Sequence, residues 1–286
     1  MKLGLMFANS GPFSNPEMLA HLATAAERFG FESIWTVEHV VIPQDYKSPY
    51  PYSPTGKIPG GEDVDIPDPL LPLAYAAAVT RKLKLATGIL ILPQRHPLYV
   101  AKEIATLDRL SNGRVVFGIG SGWLKEEFDS LGLDFHQRGA MTDEAIRALR
   151  ILWRDDAASF SGKHFKFGPV KMFPKPVQKG GVPIVIGGHS PAAARRAGRL
   201  GDGFFPALAE LDKLKELFAV MTDEATKAGR DAKTIELTCM GRARLDSLKQ
   251  FQDIGIARVV VAPPAFDKDG LTRGLEKIAD EVISKL

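Results

Sequence analysis

The sequence predicts an α/β protein folded as a (β/α)8 TIM barrel, and three observations carry that expectation. Short apolar, β-branched runs suited to buried parallel strands begin near Leu3, Ser33, Leu83, Val115, Val182, Gly203, Thr234 and Arg258. Segments with helical periodicity separate them, and strand–helix alternation implies parallel pairing. Eight such units in 286 residues match a barrel of roughly 250 residues with a modest surplus. The intervals fit a βα repeat of about 30 residues except after strands two and four. Insertions over about 41–67 and 155–181 take up the excess, and 1–286 reads as a single domain.

The helices show their ends and faces. Asn15-Pro16-Glu17 supplies an N-cap, a proline at the first helical position and an acid in the first turn, and Gly30 is the stop. Leu19, Leu22, Ala23 and Ala26 make the apolar face of that first helix. Val100, Ile104 and Leu107 mark the helix after strand three. Ala145, Ile146, Leu149, Leu152 and Trp153 mark the one after strand four. Leu271, Leu275, Ile278, Ala279, Val282 and Ile283 form the stripe of the last helix.

Composition narrows the partners. With 45% hydrophobic and 25% charged residues the chain is an ordinary globular protein. Its 37 Lys and Arg against 34 Asp and Glu leave a net charge of only +3, and the basic residues are scattered. That disfavours a nucleic-acid or membrane-surface role and points to small molecules. The single cysteine, Cys239, permits no intrachain disulfide and no multi-Cys metal site, and it reads as core packing in a reducing, cytoplasmic setting. Leu3 to Ala8 is too short for a signal-peptide core. Leu71 to Val79 contains Pro72 and falls far short of the roughly 18 apolar residues of a membrane span.

In a barrel, chemistry gathers where strands end and βα loops begin. Strand two ends in Glu38-His39, and a histidine there can act as acid or base or donate to a developing anion. The alternative is a structural histidine bonded to Glu38. Strand four runs Arg114-Val115-Val116-Phe117-Gly118-Ile119-Gly120-Ser121-Gly122-Trp123, and strand five runs Val182-Pro183-Ile184-Val185-Ile186-Gly187-Gly188-His189-Ser190-Pro191. Glycines let the main chain approach a ligand, and Ser190-Pro191 opens a helix whose N-terminus favours an anion such as phosphate. Two tight turns are the other reading of these loops. Gly88 interrupts strand three, marking a bulge or a close approach to a ligand. The Gly-x-Gly stretch is a weak dinucleotide signal and is set aside, because it follows the fourth strand whereas a Rossmann fingerprint opens the first βα unit. His39, His96 and His189 fall on separate loops without metal-ligand spacing, so no metal is expected. Arg138 can clamp an anion or pair with Glu126 or Glu127. The charges of Leu107 to Arg114 read as ion pairs far from the rim. The first insertion, with six prolines and Tyr46, Tyr50 and Tyr52, reads as a lid at the rim. The second, with Phe160, Phe165, Phe167 and Phe173, reads as a short hairpin closing the rim.

These motifs, in this order, resemble the bacterial luciferase-like superfamily of flavin- and coenzyme F420-dependent oxidoreductases. The matching residues are Glu38-His39, Thr87-Gly88-Ile89, Leu107 to Arg114, Gly118 to Trp123 with Glu127 and Arg138, Ile186 to Ser190, Arg196, and Gly201 to Phe204. The resemblance implies a flavin-type ring against strand three at Gly88 and Ile89, with a non-proline cis peptide between them. It implies a cofactor phosphate held by Gly118, Gly120, Ser121, Gly122, Gly187, Gly188, His189 and Ser190. It implies a role for His39 toward substrate or cofactor, and homodimerisation, which no residue pattern here isolates. Some F420 dehydrogenases carry a general-acid Glu where this chain has Trp123, which argues against a sugar-phosphate substrate. The expected function is hydride transfer between F420 and a small organic substrate. Alternatives are an FMN-dependent monooxygenase, a flavin carrier without turnover, and a metal-dependent barrel hydrolase using His39, His96 and His189.

Overall fold

The computed structural model describes residues 1–286. Along the chain lie β1 (Lys2–Leu5), α1 (Pro16–Arg28), β2 (Ser33–Thr36), α2 (Leu70–Val79), β3 (Lys84–Thr87), β4 (Leu90–Ile91), α3 (Pro97–Leu110) and β5 (Val115–Gly120). They continue with α4 (Lys125–Ser130), α5 (Arg138–Arg154), β6 (Ala158–Ser161), β7 (Lys166–Val170), β8 (Ile184–Gly187), α6 (Pro191–Leu200) and β9 (Gly203–Phe205). The chain ends with α7 (Leu211–Lys227), β10 (Glu236–Met240), α8 (Leu245–Asp253), β11 (Arg258–Val261) and α9 (Lys268–Glu281).

Eight parallel strands close the barrel in the order β1, β2, β3, β5, β8, β9, β10, β11. The seam between first and last is the register Lys2↔Arg258. β3 pairs with β5 directly at Leu85↔Val115, and the two-residue β4 extends the line of β3 along β5 at Leu90↔Ile119. All eight strands start within two residues of their expected positions. The fold is a (β/α)8 barrel.

Two cores hold it. The larger lies between strands and helices, where α1 buries Leu19, Leu22, Ala23 and Ala26 and α9 buries Leu271 and Leu275. The Asn15 side chain accepts from the Glu17 and Met18 amides, as the cap pattern predicts. α9 stops at Glu281, so Val282 and Ile283 continue its stripe beyond the helix. Cys239 is fully buried, and burial pushes its thiol up to about 12, so it packs as a neutral side chain.

The smaller core fills the barrel around Trp35, with Met6, Ala86, Val116, Val185, Phe205 and Val260. Trp35 lies edge-to-face on Phe205 at 5.2 Å and donates its indole N–H to Ser33 at 2.8 Å. A ring of this size needs missing side chains opposite it. A Cβ at Gly4 would stand 2.8 Å from the indole nitrogen, and one at Gly88 would stand 2.9 Å from the ring. Trp35 therefore plugs the barrel and makes a floor beneath the rim.

The two insertions differ in kind. Residues 41–67 carry no helix or strand and lie over the C-terminal ends of the strands. The β6–β7 hairpin within residues 155–181 belongs to the return connection from α5 to β8 and rests on the outside of the barrel. Glu144 on α5 accepts from the amides of Lys163, His164 and Phe165 at its tip, and Phe165 packs on His96. The expectation that this hairpin closes the barrel's mouth is corrected: it contributes no residue to the rim cavity.

The Leu107 to Arg114 stretch is likewise not a set of ion pairs. Asp108 is buried and accepts from Val177, Gln178 and the Gln178 amide, which anchors the end of the hairpin insertion. Arg114 is buried and donates to the carbonyls of Ala77, Leu83 and Ser111.

Candidate active site

A cavity of about 910 Å³ opens at the C-terminal ends of the strands, at the upper end of the range for small-molecule sites. Its walls come from the loops after β1, β2, β5, β8 and β11. Of the residues singled out in the sequence, His39, Gly88, Ile89, Gly120, Ser121, Gly122, Gly187, Gly188, His189 and Ser190 all line it. Gly118 does not. A Cβ there would fall 1.8 Å from the Thr87 carbonyl oxygen, so that glycine serves the approach of β5 to β3 below the cavity.

The other strand-end glycines also answer to protein atoms. The Gly88–Ile89 peptide bond is cis, and the Ile89 side chain lies across the ends of β5 and β8. A Cβ at Gly120 would meet Ile89 at 2.7 Å, and one at Gly187 would meet it at 2.4 Å. Ile89 thus forms an apolar floor sunk between two glycines. Gly122 (φ +80°) and Gly188 (φ +116°) occupy the left-handed backbone region that glycine tolerates, which turns both loops at the rim. The two Gly loops do converge, as expected, but their missing side chains make room first for Ile89.

His39 does not bond to Glu38. Its Nδ1 lies 3.0 Å from the Glu127 carboxylate, which is wholly buried and also accepts from the amides of Val40 at 2.7 Å and Val41 at 3.3 Å. A buried carboxylate needs such donors. With Nδ1–H donated to Glu127, Nε2 is the basic nitrogen left for the cavity, and it makes no bond to the protein. Glu38 points the other way, accepting from the Ile91 amide and, at 3.0 and 2.5 Å, from Arg95. Burial pushes the Glu38 carboxyl up, and Arg95 and the Ile91 amide oppose that shift. Consecutive residues thus serve two purposes: Glu38 secures the strand that carries Ile89, and His39 faces the cavity.

The helix that orients His39 also holds the lid. Glu126, beside Glu127 on α4, accepts from the amides of Lys47 and Ser48 at 2.7 and 3.0 Å. Burial pushes its carboxyl up, but the Ser48 hydroxyl and these amides together outweigh burial and hold it at about 2. The far end of the lid is tied to the β1 loop by the bond from the Gly11 amide to the Asp65 backbone carbonyl. Tyr50 and Tyr52 reach into the cavity from the lid, and Trp123 faces them from the β5 loop.

One corner of the cavity is cationic. His136, Arg138 and Arg196 line it beside Gly122, Ser190 and Ala193 at the start of α6. Arg138 pairs with neither Glu126 nor Glu127. It lies over the Phe135 ring at 3.6 Å and donates to the carbonyls of Gly122 and Phe135. Arg196 is paired with Asp143. Burial and the nearby Arg196 lower the Arg138 pKa, the mark of two cations sharing one corner. Ser190 caps α6, its hydroxyl accepting from Ala193 at 3.2 Å. Nδ1 of His189 is buried with no partner, and burial, reinforced by Lys213, lowers the His189 pKa and keeps the ring neutral. His96 lies outside the cavity, capping α3 through the Leu98 amide. No group of three His, Cys, Asp or Glu side chains gathers as metal ligands anywhere in the chain.

A flat apolar floor, a cationic corner at a helix N-terminus and a histidine with one free nitrogen suit a planar redox cofactor with an anionic tail. A family model described as luciferase-like monooxygenase matches residues 5–247. The chain belongs to that family. Its members are F420- or flavin-dependent oxidoreductases and monooxygenases, and this protein is an enzyme of that kind. An uncharacterized protein of Mycobacterium tuberculosis is 30% identical over 280 residues, 98% of each chain. An F420-dependent glucose-6-phosphate dehydrogenase of Amycolatopsis mediterranei is 31% identical over 227 residues, 77% of this chain and 62% of that one. Among solved structures, an F420-dependent secondary alcohol dehydrogenase superposes with a TM-score of 0.80 at 19% identity, covering 99% of this chain and 98% of that one. A monooxygenase from Streptomyces bottropensis superposes with a TM-score of 0.76 at 24% identity, covering 100% and 99%. At these identities the superpositions speak for the fold.

Proposed function

We propose that this protein transfers a hydride between coenzyme F420 and a small organic substrate, with His39 moving the accompanying proton. The observation that carries this reading is the His39–Glu127 pair set above the Ile89 floor. Ile89, with Gly88, Gly120 and Gly187 around it, would carry the flat ring. Ser121, Gly122, Gly188, His189 and Ser190, with Arg138 and Arg196, would take the phosphate. When bound, F420 supplies the hydride chemistry at C5 of its deazaflavin ring.

The chain's own part is orientation, water exclusion and proton handling. Glu127 holds the imidazole in one tautomer, so Nε2 accepts a proton from a substrate hydroxyl or, once protonated, returns it to an oxygen that gains charge. The lid limits water over the ring. FMN fits the same floor and corner, and the monooxygenase name of the family favours it as the second reading.

Titrating the purified apo-protein with reduced F420 and with FMN, followed by absorbance and fluorescence, tests both. Binding of F420 supports hydride transfer, binding of FMN alone moves the protein to the monooxygenase reading, and binding of neither overturns both.

We also read the chain as one domain and as a cytoplasmic homodimer. No helix is long and apolar enough to cross a membrane, the single cysteine is free and buried, and Leu71, Tyr75 and Val79 form an exposed apolar row on α2. Sedimentation analysis should give twice the 31.2 kDa chain mass, and a monomer would remove the dimer from this reading.

A further inference from the structure

The charges of the cavity are unevenly placed. Among its lining residues the only Asp, Glu, Lys or Arg side chains are Glu38, tied to Ile91 and Arg95, and Arg138 and Arg196 in the α6 corner. The wall that runs from His39 to His189 is a chain of rings instead. His39 to Trp123 is 5.6 Å, Trp123 to Tyr50 5.3 Å, Tyr50 to Tyr52 5.5 Å and Tyr52 to His189 4.9 Å, each pair edge-to-face. Ile58 and Val64 lengthen it with aliphatic surface.

Edge-to-face contacts keep the rings mutually oriented and present an amphipathic but uncharged surface. Neither the Tyr50 nor the Tyr52 hydroxyl bonds to the protein, and burial pushes the Tyr52 phenol up to about 12, so both remain neutral at working pH. A carboxylate or phosphate against the Trp123, Tyr50 and Tyr52 stretch of this wall would lose its hydration with no cation to replace it. A neutral ring loses only apolar contact with water.

Resting on the hydride-transfer reading above, we propose that this arc is the substrate site and that it takes an uncharged, ring-bearing alcohol or the carbonyl compound formed from it. The substrate oxygen stands on His39 Nε2 and its ring lies between Trp123 and Tyr52. In the oxidative direction the hydroxyl proton passes to Nε2, the carbinol C–H bond breaks with its electron pair leaving to the oxidised deazaflavin or flavin, and the C=O double bond forms. In reduction each transfer is reversed.

The test begins without cofactor, by fluorescence titration of Trp123, the tryptophan that lines the cavity, with Trp123→Phe as the control for the two buried tryptophans. 1-Phenylethanol and mandelate carry the same ring and hydroxyl and differ by a carboxylate, and glucose 6-phosphate represents a charged sugar. The expected result is binding of 1-phenylethanol at least tenfold tighter than either anion, with that preference cut severalfold in Tyr52→Ala and retained in Tyr52→Phe. Equal or tighter binding of mandelate or glucose 6-phosphate overturns the proposal. So does a Tyr52→Ala protein that melts normally and keeps the full preference, or competition between 1-phenylethanol and F420 for the arc. Failure of F420 and FMN to bind, with the neutral preference intact, would instead remove the hydride-transfer reading and leave the site.

Discussion

The two insertions share a composition and divide the work of the molecule. Both are rich in Gly, Pro and aromatic residues, yet residues 41–67 line the rim cavity and residues 155–181 contribute nothing to it. The lid forms no ladder of its own; the Glu126 carboxylate on α4 accepts from two of its amides, and the Gly11 amide of the β1 loop donates to its Asp65 backbone carbonyl. The β6–β7 hairpin pairs its two strands with each other, leaves only the amides of its tip to Glu144 on α5, stacks Phe160 on Phe167 at 6.0 Å and packs Phe165 on His96. The lid follows a strand and the hairpin precedes one. In a barrel that polarity decides which end of the strands a segment reaches, and only the C-terminal end carries chemistry.

The largest expected effect is at the residue the lid covers. His39→Ala should lower turnover by roughly 100- to 10,000-fold, the usual worth of a general acid–base group, while cofactor affinity measured by fluorescence changes little. Equal loss of both would make His39 a cofactor-binding residue. Glu127→Gln should lower turnover less than His39→Ala, because a neutral amide orients the imidazole less firmly than the carboxylate that accepts from its Nδ1 at 3.0 Å.

Next comes a hairpin variant with the opposite signature. Phe165 is 8% exposed, and Phe165→Ala should cost on the order of 3 kcal/mol, lowering Tm by several degrees with kcat/KM of the folded enzyme unchanged. A loss of activity without a loss of stability would place the hairpin in the catalytic apparatus.

The smallest effect is on the lid itself. Glu126 is held at about 2, below the ordinary 4.5 of a glutamate, so its hold on the lid is complete above about pH 4.5 and fades as pH falls toward 2. Amide exchange at Lys47 and Ser48 should be flat from pH 7 to 5, after correction for intrinsic rates, and accelerate below. Glu126→Gln should exchange faster throughout that range, and identical exchange in the two proteins would show that the carboxylate does not hold the lid.

Much of the fold was legible because buried parallel strands are written as continuous apolar runs, and the eight barrel strands carry them at intervals that fit a βα repeat except after the second and fourth. The site was legible in outline for a related reason: residues just after such runs must stand at the rim, which locates His39, Ser121 and His189. Other features were hidden by distance in the chain. Glu127 lies 88 residues from the histidine it orients, and the only local signal was an acidic pair opening a short helix. Gly118 misled, because it looks like a ligand cradle from spacing alone but lies outside the cavity against the Thr87 carbonyl, whereas Gly120 and Gly187 line the cavity and also make room for the Ile89 side chain.

The sequence by itself determined the barrel, the position of the rim and the family, because each follows from local hydrophobic periodicity and the order of motifs along one chain. Only the tertiary structure decided which insertion covers the cavity, which carboxylate holds His39, and that Trp123, Tyr50 and Tyr52 make a run of uncharged rings from His39 to His189. Those choices depend on where distant loops meet in space, and packing against Trp35 and Ile89 settles that rather than any pattern within a single segment.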